Sequence, residues 1–151
     1  MAVGQINGQP LAEPGGSELR AERIFETCLY TSDLAATVDF YRRVFGLEVL
    51  SDFSPRGVVL RCGAGALLLF DPDETKKAHP RMPSHGTEGV GHVAFLAAEE
   101  ELPAWREHLA QSGVEIETEV AWEVGGTSIY FRDPGGNVVE LAPPTLWGGG
   151  W

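Results

Sequence analysis

A tandem internal repeat is the strongest constraint on what this chain can fold into. Glu26-Thr-Cys-Leu-Tyr opens a strand that leads to a helix over about residues 34–45, closed by Gly46. His92-Val-Ala-Phe-Leu opens a second strand, leading to a helix over about residues 100–112, closed by Gly113. Each copy ends in a Gly-rich turn and an apolar strand, Gly65-Ala-Leu-Leu-Leu-Phe in the first and Gly136-Asn-Val-Val-Glu-Leu in the second. Alternating apolar residues predict first strands at about 24–31 and 91–97. Three more strands per copy fall at about 47–53, 57–62 and 66–70, and at 114–122, 127–132 and 137–142. The expectation is an α+β chain of two tandem βαβββ modules.

The repeat also divides the chain. Residues 1–21 are rich in Gly, Pro and Glu and predict a disordered arm. The first module spans 22–71 and the second 90–143, with a tail over 144–151. Between the modules, 72–89 holds three prolines and no periodicity; a linker this long inside a compact chain is often functional or interfacial. On the first helix, Leu34, Val38, Tyr41 and Phe45 form a stripe at helical spacing behind a Ser32 or Asp33 cap.

Composition excludes several classes. The chain has 151 residues, 43% of them hydrophobic, enough for a packed core. Eleven basic residues against 22 acidic ones give a net charge of −11, which argues against nucleic acid and anionic membranes as partners. No signal peptide or membrane span is expected, and Cys28 and Cys62 read as buried free thiols of a cytoplasmic protein.

Laid on each other, the copies set Glu26 opposite His92 and Leu69 opposite Glu140. Three of these four positions carry metal-ligand residue types. Glu26 shares its strand face with Cys28 and Tyr30, and Glu140 with Val138. A four-residue turn over 133–136 would set Ile129 across from Glu140 and Phe131 across from Val138. By the repeat, Val58, Leu60, Leu67 and Leu69 point the same way, so the expected pocket is lined by Cys28, Tyr30, Val58, Leu60, Leu67, Leu69, Ile129 and Phe131, with Thr127 a further polar candidate. Two carboxylates and an imidazole on an apolar face are costly to bury alone, and a divalent cation would balance them. A mixed N/O set suits Fe, Mn, Ni, Co or Zn. Each residue also has a plain structural reading, as a hydrogen-bonded core histidine or a solvated rim carboxylate. His85, in the linker, could reach over the cavity as an acid or base or stand in solvent. With Tyr30 it is the candidate for a catalytic role. His108 reads as an exposed helix residue.

The two βαβββ copies, the Asp33-Leu-x(5)-Phe-Tyr41 helix start and the Asp133-Pro-Gly-Gly-Asn-x-x-Glu140 ending resemble the vicinal oxygen chelate superfamily over roughly residues 22–145. That group holds glyoxalase I, extradiol dioxygenases, fosfomycin-resistance enzymes and bleomycin-resistance binding proteins. The resemblance implies half-barrel sheets around a cavity, metal ligands at Glu26, His92 and Glu140, a small and largely apolar substrate bound through adjacent oxygens, and a homodimer. It implies lyase, isomerase or dioxygenase chemistry. The alternative is a metal-free protein that sequesters a small molecule. Glyoxalase I usually fills the fourth position, where this chain has Leu69, and a cavity lined by the apolar residues named above suits glutathione poorly.

Overall fold

The computed structural model describes residue 21, residues 23–148 and the short antiparallel pair Gln5–Ile6 and Gln9–Pro10. Most of the expected N-terminal arm, and residues 149–151 of the tail, lie outside the described residues. The first module runs β1 (Glu26–Tyr30), α1 (Leu34–Phe45), β2 (Glu48–Asp52), β3 (Gly57–Cys62) and β4 (Gly65–Phe70). A one-turn helix, α2 (Pro72–Thr75), opens the linker, where no periodicity pointed to one. The second module repeats the order: β5 (His92–Leu96), a 3-10 turn (Glu99–Glu101), α3 (Leu102–Gln111), β6 (Ile116–Ala121), β7 (Thr127–Arg132) and β8 (Val138–Ala142). Each module forms a four-stranded sheet, ordered β1-β4-β3-β2 and β5-β8-β7-β6. The first strand runs parallel to the last, and the other pairs are antiparallel. This is the doubled βαβββ architecture that the internal repeat predicts.

Local signals explain α1. The Asp33 side chain accepts from Ala36 N at 3.0 Å, satisfying a free donor of the first turn. Gly46 stops the helix at φ 65°, a left-handed conformation that glycine adopts without a Cβ penalty. The face turned inward carries Phe40, Tyr41 and Val44, all buried.

The two modules share one core. Phe45 of α1 stacks on Phe95 of β5 with ring centroids 4.1 Å apart, and Phe40 lies 6.3 Å from Phe131 of β7. His108, expected in solvent, is half-buried, and its Nε2 hydrogen-bonds the Val44 carbonyl at 2.8 Å, tying α3 to α1. Tyr41 donates to Asp133 Oδ2 at 2.9 Å across the module boundary. Burial, and then the Asp133 charge, push the Tyr41 hydroxyl far above the usual tyrosine range. Asn137 completes the seam: its side chain accepts from Gly91 N at 2.9 Å and donates to the Tyr30 carbonyl at 3.1 Å. Both sheets thus turn one face to the shared helical core and leave the other face open. No helix among the described residues is long and apolar enough to cross a membrane.

Candidate active site

On the open face of the second sheet, His92 and Glu140 come together. His92 starts β5, Glu140 lies on the adjacent strand β8, and Nε2 stands 3.2 Å from Oε2. The opposite imidazole nitrogen, Nδ1, lies 3.2 Å from the Val138 carbonyl. A carbonyl only accepts, so Nδ1 carries the hydrogen and Nε2 is the atom presented to the carboxylate. Glu140 is buried, with 5% of the residue exposed, so its carboxylate oxygens need partners. Oε1 accepts from Ser128 Oγ at 2.6 Å and from Tyr130 OH at 2.9 Å. Ser128 in turn accepts from the Trp122 indole N–H at 2.8 Å. Burial, then the bond to Glu140, raise the Tyr130 hydroxyl above its ordinary range, so it remains a donor. One carboxylate oxygen is saturated by hydroxyls and the other faces an imidazole nitrogen. Two donors bound at right angles to an ion at about 2.1 Å stand about 3.0 Å apart, so this pair fits two neighbouring corners of a first-row metal shell.

Glu26 does not join them within one chain. It lies exposed on the open face of the first sheet. Among the described residues, no three His, Cys, Asp or Glu side chains gather as a metal shell requires.

The strand register moves most of the expected pocket residues. In the structure Glu26 pairs with Ala66 and His92 with Val138, so Leu68, not Leu69, is the counterpart of Glu140. The cause is one extra residue. The connection from β7 to β8 pairs Arg132 with Val138 and spends five residues, because Asn137 is drawn into the buried Asp133 seam. A slip of one residue exchanges the two faces of a strand. Val58, Leu60, Leu67, Leu69, Ile129 and Phe131 therefore belong to the shared core, each at most 3% exposed, and do not line a pocket. Buried in the core, these side chains form no apolar cavity wall that would exclude glutathione. Thr127 also faces the helices, where Glu99 accepts from its backbone N–H and its hydroxyl. Tyr130 and Ser128 occupy the open face across from Glu140, and the sequence reading missed both. A five-residue count for the turn would have found them.

Cys28 and Tyr30 do stand on the open face. Cys28 is exposed rather than buried, since the face of its strand is uncovered; Cys62 is half-buried. Burial raises both thiols, and the Glu26 charge adds to the rise at Cys28, which keeps them protonated and poorly nucleophilic. A cavity of about 750 Å³ covers this face, lined by Glu26, Cys28, Tyr30, Leu68, Phe70 and His85 together with Phe53, Arg56 and Met82. The linker brings His85 back over the sheet. Its Nδ1 hydrogen-bonds the Tyr30 hydroxyl at 2.7 Å, and its ring meets the Phe70 ring edge-on at 4.9 Å. Burial, ahead of a Cys28 contribution, raises the Tyr30 hydroxyl, so it stays protonated beside the imidazole. A second cavity of about 460 Å³ lies over the other sheet, between Trp122, Tyr130, Glu140 and Trp147 of the tail.

Comparison with known proteins agrees with this architecture. A family model described as the Glyoxalase/Bleomycin resistance protein/Dioxygenase superfamily matches residues 23–141. The crystal structure of a lactoylglutathione lyase from Agrobacterium tumefaciens superposes with a TM-score of 0.81 at 40% identity, covering 85% of this chain and 98% of that one. The glutathione transferase FosA of Serratia marcescens is 34% identical over 113 residues, 75% of this chain and 74% of that protein. The metallothiol transferase FosB of Shouchella clausii is 30% identical over 120 residues, 76% of this chain and 75% of that protein.

Proposed function

The chain belongs to the Glyoxalase/Bleomycin resistance protein/Dioxygenase superfamily, and from that premise we propose that it is a divalent-metal-dependent enzyme acting on a small substrate through adjacent oxygen atoms. Glu26, His92 and Glu140 hold the ion, which is Fe, Mn, Ni, Co or Zn. The observation that carries the reading is the Glu140 carboxylate: buried, fixed through Oε1 by two hydroxyls, and offering Oε2 beside an imidazole nitrogen. The names of FosB, a metallothiol transferase, and of the lactoylglutathione lyase support it by analogy.

The site works as a homodimer in this reading. Within one chain Glu26 and the His92/Glu140 pair do not converge, so the open face of the first sheet of one copy covers the open face of the second sheet of another. Both faces are rimmed by exposed apolar side chains, Phe53 and Met82 on one and Leu96, Val124 and Trp147 on the other. Such patches are usually covered in the working assembly.

Each residue then has a task. The ion, when bound, supplies a Lewis acid that polarises substrate oxygens. Ser128 and Tyr130 aim the Glu140 carboxylate. Val138 holds the His92 tautomer. Leu68, Phe70, Phe53 and Met82 pack the substrate body and exclude water. Tyr30 occupies His85 Nδ1 and leaves the other ring nitrogen free among the described residues for a polar group of the substrate. The test is a calorimetric titration of chelator-stripped protein with Mn(II), Fe(II), Ni(II) and Zn(II). Binding tighter than about 0.1 mM that disappears in His92→Ala supports the enzyme; no binding leaves the metal-free sequestering protein.

A further inference from the structure

The cavity over the first sheet contains a positive charge that the proposed metal site does not use. Arg56 sits in the hairpin between β2 and β3, half-buried, and no carboxylate pairs with it among the described residues. Its guanidinium is nevertheless held in place, donating from one nitrogen to the Glu74 carbonyl at 3.2 Å. The neighbouring carbonyl, of Thr75, accepts from the backbone N–H of His85 at 3.1 Å. The one-turn helix α2 thereby anchors Arg56 and His85 side by side. Thr75 is itself fully buried and bonds back to the Pro72 carbonyl at 3.3 Å. His85 is further fixed by the Tyr30 hydroxyl, and its Nε2 has no partner among the described residues.

The register sets where this cluster lies. Tyr30 pairs with Phe70, and Phe70 with Gly57, so Arg56 is at the Tyr30 end of the sheet. Gly57 permits this packing, because a Cβ there would clash with the Phe70 ring. Glu26 is four residues back along β1, roughly 13 Å away at the rise of a strand. The floor between the two ends is Leu68, Phe70 and Cys28.

We propose that Arg56 and His85, positioned by α2, form an anion-binding subsite, and that the substrate is an elongated molecule with an apolar body and an anionic group at the end remote from Glu26. A guanidinium held by one nitrogen keeps its other N–H groups for a carboxylate or phosphate oxygen. His85 Nε2, without a partner among the described residues, offers a second polar contact, and the apolar floor accounts for the body between. The subsite rests on the reading of this face as the substrate cavity, but not on the metal.

The experiment titrates the full-length protein with 3-phenylpropionate and with its neutral amide, 3-phenylpropionamide, by calorimetry. The acid is expected to bind at least tenfold more tightly than the amide. Arg56→Gln should weaken the acid about tenfold and leave the amide unchanged, with Arg56→Lys intermediate. His85→Ala should weaken the acid by a smaller factor. His92→Ala should leave the acid-to-amide ratio as it is, which separates failure of the metal reading from failure of this one. Equal affinities for acid and amide, an unchanged ratio in Arg56→Gln, or no saturable binding of the acid up to about 10 mM overturns the subsite.

Discussion

Replacing Ser128 with alanine tests the central piece of chemistry, the fixing of Glu140. Ser128 is fully buried, and its hydroxyl donates to Glu140 Oε1 at 2.6 Å. A hydrogen bond to a charged acceptor contributes about 1.5–3 kcal/mol. The loss is not total, because Tyr130 still donates to the same oxygen. The Trp122 indole N–H also loses its acceptor, but Trp122 is only half-buried and water can replace it. The net expectation is a destabilisation of about 2 kcal/mol, or a fall in Tm of about 4–8 °C for a chain of this size. Denaturant unfolding of metal-free protein reads the stability. A titration with Zn(II) or Mn(II) reads the function, where loss of a residue that orients a ligand weakens affinity about 10–100-fold. A change below about 0.5 kcal/mol together with unaltered metal affinity would refute the reasoning, since Glu140 would then need no hydroxyl to hold it.

Mixing equal amounts of Glu26→Gln and His92→Ala protein should restore about a quarter of the metal sites, because half of the dimers are then mixed and each of these keeps one site with both native ligands; sites formed within one chain would restore none. Sedimentation should give a dimer of the 16.3 kDa chain at micromolar concentration. Tyr41→Phe should destabilise the fold by about 1.5–3 kcal/mol near neutral pH through loss of the bond to Asp133. That gap should close in alkali: the folded Tyr41 hydroxyl is raised, so its stabilisation is complete below the ordinary tyrosine range and fades as pH rises beyond about 10, where the unfolded chain releases the proton first. Denaturation curves of both proteins across pH 7 to 11 check the sign. Metal should raise the Tm of wild type and leave that of His92→Ala unchanged.

The sequence by itself determined the architecture. Two strand-helix-strand copies with matching glycine stops can bury their apolar stripes only as repeated units, and α1 and β3 follow from that periodicity. It also singled out His92 and Glu140, polar residues on strands of apolar alternation, and these two the structure brings together. The tertiary structure alone decided which face most of the pocket residues occupy. Alternation has period two and carries no sign, so one residue in a turn exchanges inside for outside. That residue is Asn137, whose place is set by Asp133, Tyr30 and Gly91 from distant parts of the chain. Tyr130 and Ser128 moved onto the open face for that reason, while Leu69 and Phe131 moved into the core. The cluster of Arg56, Tyr30 and His85 was beyond any local pattern, because its members come from a hairpin, a strand and an aperiodic linker. They meet only where α2 turns two adjacent carbonyls toward them.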